Sequence, residues 1–129
     1  MSIMKHAALW SLLALCSLVV LGCGKGGQEA DEAKPISEVK AEAEKMDTNQ
    51  LRAMAMTYKE AIVAKKNEIE KVTAKLKEIP LTEMIGEEAK ALKADIAKLN
   101  ESITALKARF DVYYEKLKES GGDLSGLQI

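Results

Sequence analysis

The chain predicts an all-α protein: an antiparallel helical hairpin, or coiled coil, with a short additional N-terminal helix. Three observations carry that expectation. Beyond position 24, Ala, Glu, Lys and Leu dominate, the composition of long helices rather than of sheets. Apolar residues in that part recur by steps of three and four, the spacing of one helix face. Proline at position 80 and the glycine pair at 121–122 cut this pattern into two long pieces. Aromatic residues are scarce, with one Phe, one Trp and three Tyr in 129 residues. A rod with a narrow apolar stripe therefore fits better than a globule with a broad core. The formal net charge of −1 supplies no basic footprint for nucleic acid.

The first 22 residues differ from everything that follows. Lys5 and His6 precede fifteen residues without a charge, Ala7 to Leu21, and Gly22-Cys23 close the run. A positive start, an apolar stretch of about 7–15 residues and a small-residue end describe a secretory signal. A spanning helix needs about 20 apolar residues, and the glycines at 22, 24, 26 and 27 do not extend this one. Val20-Leu21-Gly22-Cys23 resembles the lipobox of bacterial lipoproteins, with an aliphatic residue at −3, a small one at −1 and the obligatory cysteine. The resemblance covers about the first 24 residues. It implies that a diacylglycerol joins the Cys23 sulfur, that cleavage falls before Cys23, and that the new amine is often acylated, palmitate being a suitable label. It also implies a bacterial cell-envelope location. Gly24, standing where an Asp signals inner-membrane retention in enteric bacteria, favours the periplasmic face of an outer membrane where the organism has one.

Elimination by chemistry points the same way. The only other cysteine, Cys16, and the only histidine, His6, both lie in the expected signal. After cleavage no disulfide partner and no zinc or haem ligand set remains, so no metal and no cofactor is expected. Attachment is favoured because each buried methylene contributes about 0.8 kcal/mol and stable anchoring takes two chains or more.

Residues 23–35 then form the lipidated cysteine and a linker, "GKGGQEADEAKP" after Cys23, which has no large apolar residue. A flexible tether is expected. Residues 36–46 can form a short amphipathic helix, with Val39, Ala43 and Met46 on one side. A boundary follows at Asp47. With Asp47 as N-cap, Gln50 falls at N3 and completes a capping box, while Met46 and Leu51 occupy the staple positions.

Residues 47–120 hold the hairpin. Leu51, Ala55, Tyr58, Ile62, Ile69, Val72, Leu76 and Ile79 make the first stripe, interrupted only at Lys65. Pro80 ends it, and the connection spans about 80–86, with Thr82 expected to cap the next helix. Ile85, Ala89, Leu92, Ile96, Leu99, Ile103, Leu106, Phe110, Tyr113 and Leu117 form an unbroken heptad seam. Folding at Pro80 sets Ile79 against Ile85, Tyr58 against Leu106 and Leu51 against Tyr113. Lys65 falls opposite Leu99, where a lysine can carry its ammonium past a narrow interface. Gly121 suits the left-handed end of the second helix, and the tail, 121–129, is expected to be frayed or lightly docked.

One stretch exceeds what a two-helix rod needs. Between Leu51 and Ala64, Met54, Met56 and Val63 lie off the seam, so a further cover is required. Three covers remain open: the 36–46 helix folding back, a second copy of the chain, or an envelope protein partner or client. With Tyr114 on the outer face, Met54, Met56 and Val63 form the candidate interaction surface.

Catalytic constellations are not expected. Ser37, Ser102, Ser120 and Ser125 have no histidine to act as base. Glu87-Glu88, Asp95 and Glu101 sit on a thin rod without an enclosing pocket, and no phosphate-cradling glycine motif occurs. The expected role is that of a small lipid-anchored envelope protein, not an enzyme, whose hairpin serves as a structural or protein-interaction module. Short helical lipoproteins of bacterial outer membranes share this general plan; those coupled to the cell wall end in lysine. The present chain ends Leu127-Gln128-Ile129, so attachment by that route is not expected. Two alternatives stand beside this role: a periplasmic holdase-like or inhibitory binder using the Met-rich face 51–64, and an accessory subunit of an envelope transport or secretion assembly.

Overall fold

The computed structural model describes residues 29–129. The signal and lipobox readings, Val20 to Cys23 included, and the start of the linker lie outside the described residues. The described chain is all-helical: α1, Ile36–Glu44; α2, Thr48–Glu78; a single 3-10 turn, Leu81–Glu83; and α3, Glu87–Glu119. α2 and α3 pack against each other as the hairpin, and α1 lies on α3. At about 1.5 Å per residue each long helix runs for some 45–50 Å.

Local chemistry sets the boundaries. The Asp47 carboxylate accepts from the Gln50 amide at 2.8 Å and the Gln50 side chain accepts from the Asp47 amide at 3.0 Å. This reciprocal pair starts α2 and separates it from α1. Pro80 cannot donate to a continuing helix, and α2 stops at Glu78 with Ile79 already extended. At the far end of α3, Gly121 takes φ 71°. The Gly122 amide then donates to the Leu117 carbonyl and the Gly121 amide to that of Lys118, a Schellman closure. Gly122 is needed there for space as well, since a Cβ would lie 2.1 Å from Leu117 Cδ1.

The core sits at one end of the rod, here called the base, where α2 begins and α3 ends. Val39 and Ala43 of α1, Leu51, Met54, Ala55, Tyr58 and Ile62 of α2, Leu106, Phe110, Tyr113 and Leu117 of α3, and Leu127 of the tail form one buried cluster. Tyr58 and Tyr113 stack with ring centroids 5.6 Å apart, although counting along the seam sets Tyr58 against Leu106. The cause is directional: helical side chains lean toward their own N-terminus. In antiparallel helices, one ring leans toward the base and the other away from it, so they converge.

Two segments expected to be loose are docked. Arg109 donates from Nε at 2.9 Å and Nη2 at 2.7 Å to the Lys34 carbonyl. Tyr58 Oη accepts from the Asp31 amide and donates to the Asp31 carbonyl, and Ser102 Oγ bonds Glu32 at 3.1 Å. Residues 31–35 are therefore part of the fold, not free tether. The tail is likewise held. Arg52 donates to the Asp123 and Ser125 carbonyls at 2.7 and 2.8 Å, Lys59 donates to that of Gly126, and Leu127 is fully buried. Of the two expectations for the tail, frayed or lightly docked, the structure shows a docked one.

The tip also differs from expectation. Thr82 lies inside the 3-10 turn, and the N-cap of α3 is Gly86, with no side-chain cap bond. Ile85 does not face Ile79; it is 83% exposed. The heptad count assumed a helix through 85, but α3 begins only at Glu87.

Leu127→Ala should lower unfolding free energy by about 2–5 kcal/mol, the usual range for removing a buried leucine, whereas Leu81→Ala should change it by less than about 0.5 kcal/mol. Urea denaturation of both variants checks this contrast. Equal effects would contradict a docked tail.

Candidate functional site

Of the predicted interaction surface, only part is available. Met54 is 7% exposed. With Tyr58 and Leu106 it lies on the floor of an open groove of about 840 Å³, whose other wall includes Glu29, Ala30, Asp31, Lys34, Pro35 and Glu38. Met56 is half-buried against the core, and Tyr114 is half-buried with its ring stacked on Phe110 at 5.6 Å. Val63 alone is exposed, at 41%. The four residues do not make one open apolar face. The reason is the cover: α1, residues 30–35 and the tail occupy the space around the 51–62 stretch. Of the three covers left open by the sequence, the fold-back of α1 is seen, joined by residues 30–35, expected as a free tether, and by the docked tail.

Lys65 is half-buried and lines the mouth of this groove together with Glu29, Asp31 and Glu32. A lysine opposite Leu99 thus has acidic neighbours at the edge of the interface, in keeping with a stem along the seam and a solvated head.

Beneath the groove lies a polar cluster. Lys34 Nζ pairs with Glu42 Oε1, which holds the Lys34 ammonium above its ordinary pKa. The second carboxylate oxygen, Oε2, and the Tyr113 hydroxyl are both buried without a hydrogen-bond partner among the described residues. Burial first, then the neighbouring Tyr58 and Glu42, push the Tyr113 hydroxyl well above the usual tyrosine range. Glu42 thus holds Lys34 through one oxygen and keeps the other buried without a partner among the described residues.

Several of the hydroxyl and carboxylate groups singled out from the sequence lie at the surface or at helix ends. Ser102 bonds Glu32 and Ser120 Oγ donates to the Lys116 carbonyl at 2.8 Å. Glu87 and Glu88 are exposed in the first turn of α3, where negative charge suits the helix dipole. Glu87 reaches Lys90 at 3.8 Å, and Lys116 ties α3 to α1 through Glu44 at 2.9 Å. Among the described residues no cluster of His, Cys, Asp and Glu has metal-site geometry, and no helix is long and apolar enough to cross a membrane.

The most exposed apolar side chains stand at the tip. Leu81 is 90% and Ile85 83% exposed, four residues apart on the turn that joins α2 to α3. Sequence reasoning missed this pair because Ile85 satisfies the heptad count. The available signal was Pro80 together with Gly86, which confine the connection to a tight turn with no room to fold both side chains inward. A Cβ at Gly86 would lie 3.0 Å from the Glu83 carbonyl oxygen.

The folded protein keeps Tyr113 neutral while an unfolded chain ionises it near pH 10. This contribution to stability is therefore complete below pH 10 and is lost as pH rises above it. Tyr113→Phe should flatten the fall of melting temperature above pH 10. At neutral pH it should change stability by less than about 1 kcal/mol, since an unpaired buried hydroxyl is removed. Parallel melts of both proteins from pH 8 to 11 check this; identical alkaline slopes would contradict it.

Comparison with protein-family models, with curated proteins and with solved structures finds no match for this chain.

Proposed function

We propose that the chain is a small bacterial envelope lipoprotein, anchored through acylated Cys23, whose helical hairpin serves as a structural or protein-interaction module rather than as an enzyme. The observation that carries this reading is the placement of Cys23. It directly follows a fifteen-residue uncharged run and Gly22, and neither a second cysteine nor a histidine follows it. A thiol so placed has no partner for redox or metal chemistry but suits attachment. The folded part supports a binding or scaffolding role. It is a rod with its core at the base, and its exposed apolar residues include a pair at the tip. Use of the Met-rich stretch as a client clamp has less support, because Met54 is buried and Met56 packs on the core.

Metabolic labelling with radioactive palmitate in a bacterial host tests the anchor. The wild-type chain should incorporate label and sediment with membranes. Cys23→Ser should lose the label and leave the unprocessed precursor. Label and processing retained in Cys23→Ser would overturn the proposal.

A further inference from the structure

We infer that the hairpin tip, Leu81 and Ile85, is a second membrane contact, so that the rod meets the bilayer that carries its anchor at that end. This rests on the lipid-anchor reading, and the length of chain between Cys23 and the fold carries it further. The N-terminal segment is fastened to the middle of the rod. Glu32 bonds Ser102, and Glu29 lines the groove beside Ala61 and Lys65. From Pro35 back to Glu32, the chain runs from the level of Arg109 to that of Ser102, which is toward the tip.

Six residue steps separate Cys23 from Glu29. Whatever their conformation, they span at most about 22 Å. Ser102 stands fifteen residues from the start of α3 and seventeen from its end, or about 22 and 25 Å along the axis. Glu29 lies at or tipward of that level. A rod upright on its base would hold it about 25 Å or more above the bilayer, beyond the reach of Cys23, whereas the tip end lies within about that reach. The end nearer the anchor, and within its reach, is therefore the tip.

The two ends are chemically different. The base ends in polar residues, among them Asp47, Thr48, Asn49, Gly121 and Asp123, all exposed. The tip presents Leu81 and Ile85 almost fully to solvent, with Met84 half-buried beneath them. Between positions 71 and 93 there are five lysines and four glutamates, so no strong net charge opposes approach to a zwitterionic or mildly anionic headgroup layer. Lysines at 75, 77, 90 and 93 have stems long enough to keep their charges among headgroups while the two aliphatic side chains enter. One weak contact of this kind would not hold a soluble protein, but beside a lipid anchor it acts as a second, intramolecular attachment.

The test uses the full lipidated chain, reconstituted in phosphatidylethanolamine–phosphatidylglycerol vesicles after mass spectrometry of the Cys23 modification. An environment-sensitive dye is placed at Thr82→Cys on the tip and, separately, at Asn49→Cys on the base. The tip dye should shift to shorter wavelength and brighten at least twofold relative to the base dye. It should be quenched by lipids bearing shallow nitroxides. Combining the tip label with L81S/I85S should abolish the gain without changing the circular-dichroism melt, since both side chains are exposed. A tip dye as open to aqueous quencher as the base dye overturns the inference while leaving the anchor intact. Shielding that appears only when other envelope proteins are added overturns it too, in favour of a protein partner. An unmodified Cys23 removes both the anchor and the inference drawn from it.

Discussion

Two helices that meet along one stripe can bury only that stripe, and everything else in this fold answers to that limit. Between Lys65 and the tip, Ile69, Val72, Leu76 and Ile79 share the seam with Leu92, Ile96 and Leu99, each only half-buried, and the small Ala89 alone is fully buried. Between Leu51 and Ile62 the same geometry yields fully buried side chains. The difference is a third layer. α1 with Val39 and Ala43, the segment at 30–35, and Leu127 from the tail close over the base. All four aromatic residues beyond the N-terminal run, Tyr58, Phe110, Tyr113 and Tyr114, are placed there. Large rings contribute most where they are covered on all sides, so their clustering at one end follows from where a third layer exists.

The parts of this architecture legible in the sequence are those encoded by local spacing. The two seams, the stop at Pro80, the capping box at Asp47 and Gln50, and the glycine end at Gly121 each depend on residues within a few positions of one another. The docked segments depend on something composition does not mark. Their partners are main-chain carbonyls, at Lys34, Asp123, Ser125 and Gly126, and every residue has one. One signal was present nonetheless. Of nineteen basic residues only Arg52 and Arg109 are arginines, and each clamps one of the two segments. A forked guanidinium can reach two acceptors, or one acceptor twice, where a lysine presents a point charge. Two arginines on the base half of an otherwise lysine-rich rod were a hint that something polar folds back there.

The arrangement of Met54, Met56, Val63 and Tyr114 is a related case. Met54, Met56 and Val63 were correctly seen to lie off the two-helix seam, but the step from off-seam to exposed requires knowing what else packs. Here the cover is α1, one of the covers the sequence left open, together with residues 30–35, whose composition argued for a free tether, and the tail. Ile85 failed in the opposite direction. It matched the seam by count, yet counting presumes a continuous helix, and a 3-10 turn between Pro80 and Gly86 interrupts it. Periodicity therefore predicted the long interiors of α2 and α3 well and their joined ends badly.

The uneven layering has a consequence for how the rod bears load. Elements covered on several sides open at a cost near that of global unfolding, whereas thinly covered ones open locally. The base holds the stacked tyrosines and both arginine clamps. The distal half has the two-helix seam, and pairs such as Glu87 with Lys90 add little because both partners are largely exposed. In the lipid-anchored reading, a pull through the N-terminus would enter at residues 29–35. It would be resisted by Tyr58, Ser102 and Arg109, one of them a core residue and all at or beyond the thick part of the rod. Fastening the tether there lets the base stay folded under tension while the thin half bends or frays. A tether fastened at the tip would put the same load on the weakest contacts in the molecule. The site of attachment and the one-sided core are thus a single arrangement, with the tether fastened where the third layer ends and the thinner half carrying the tip.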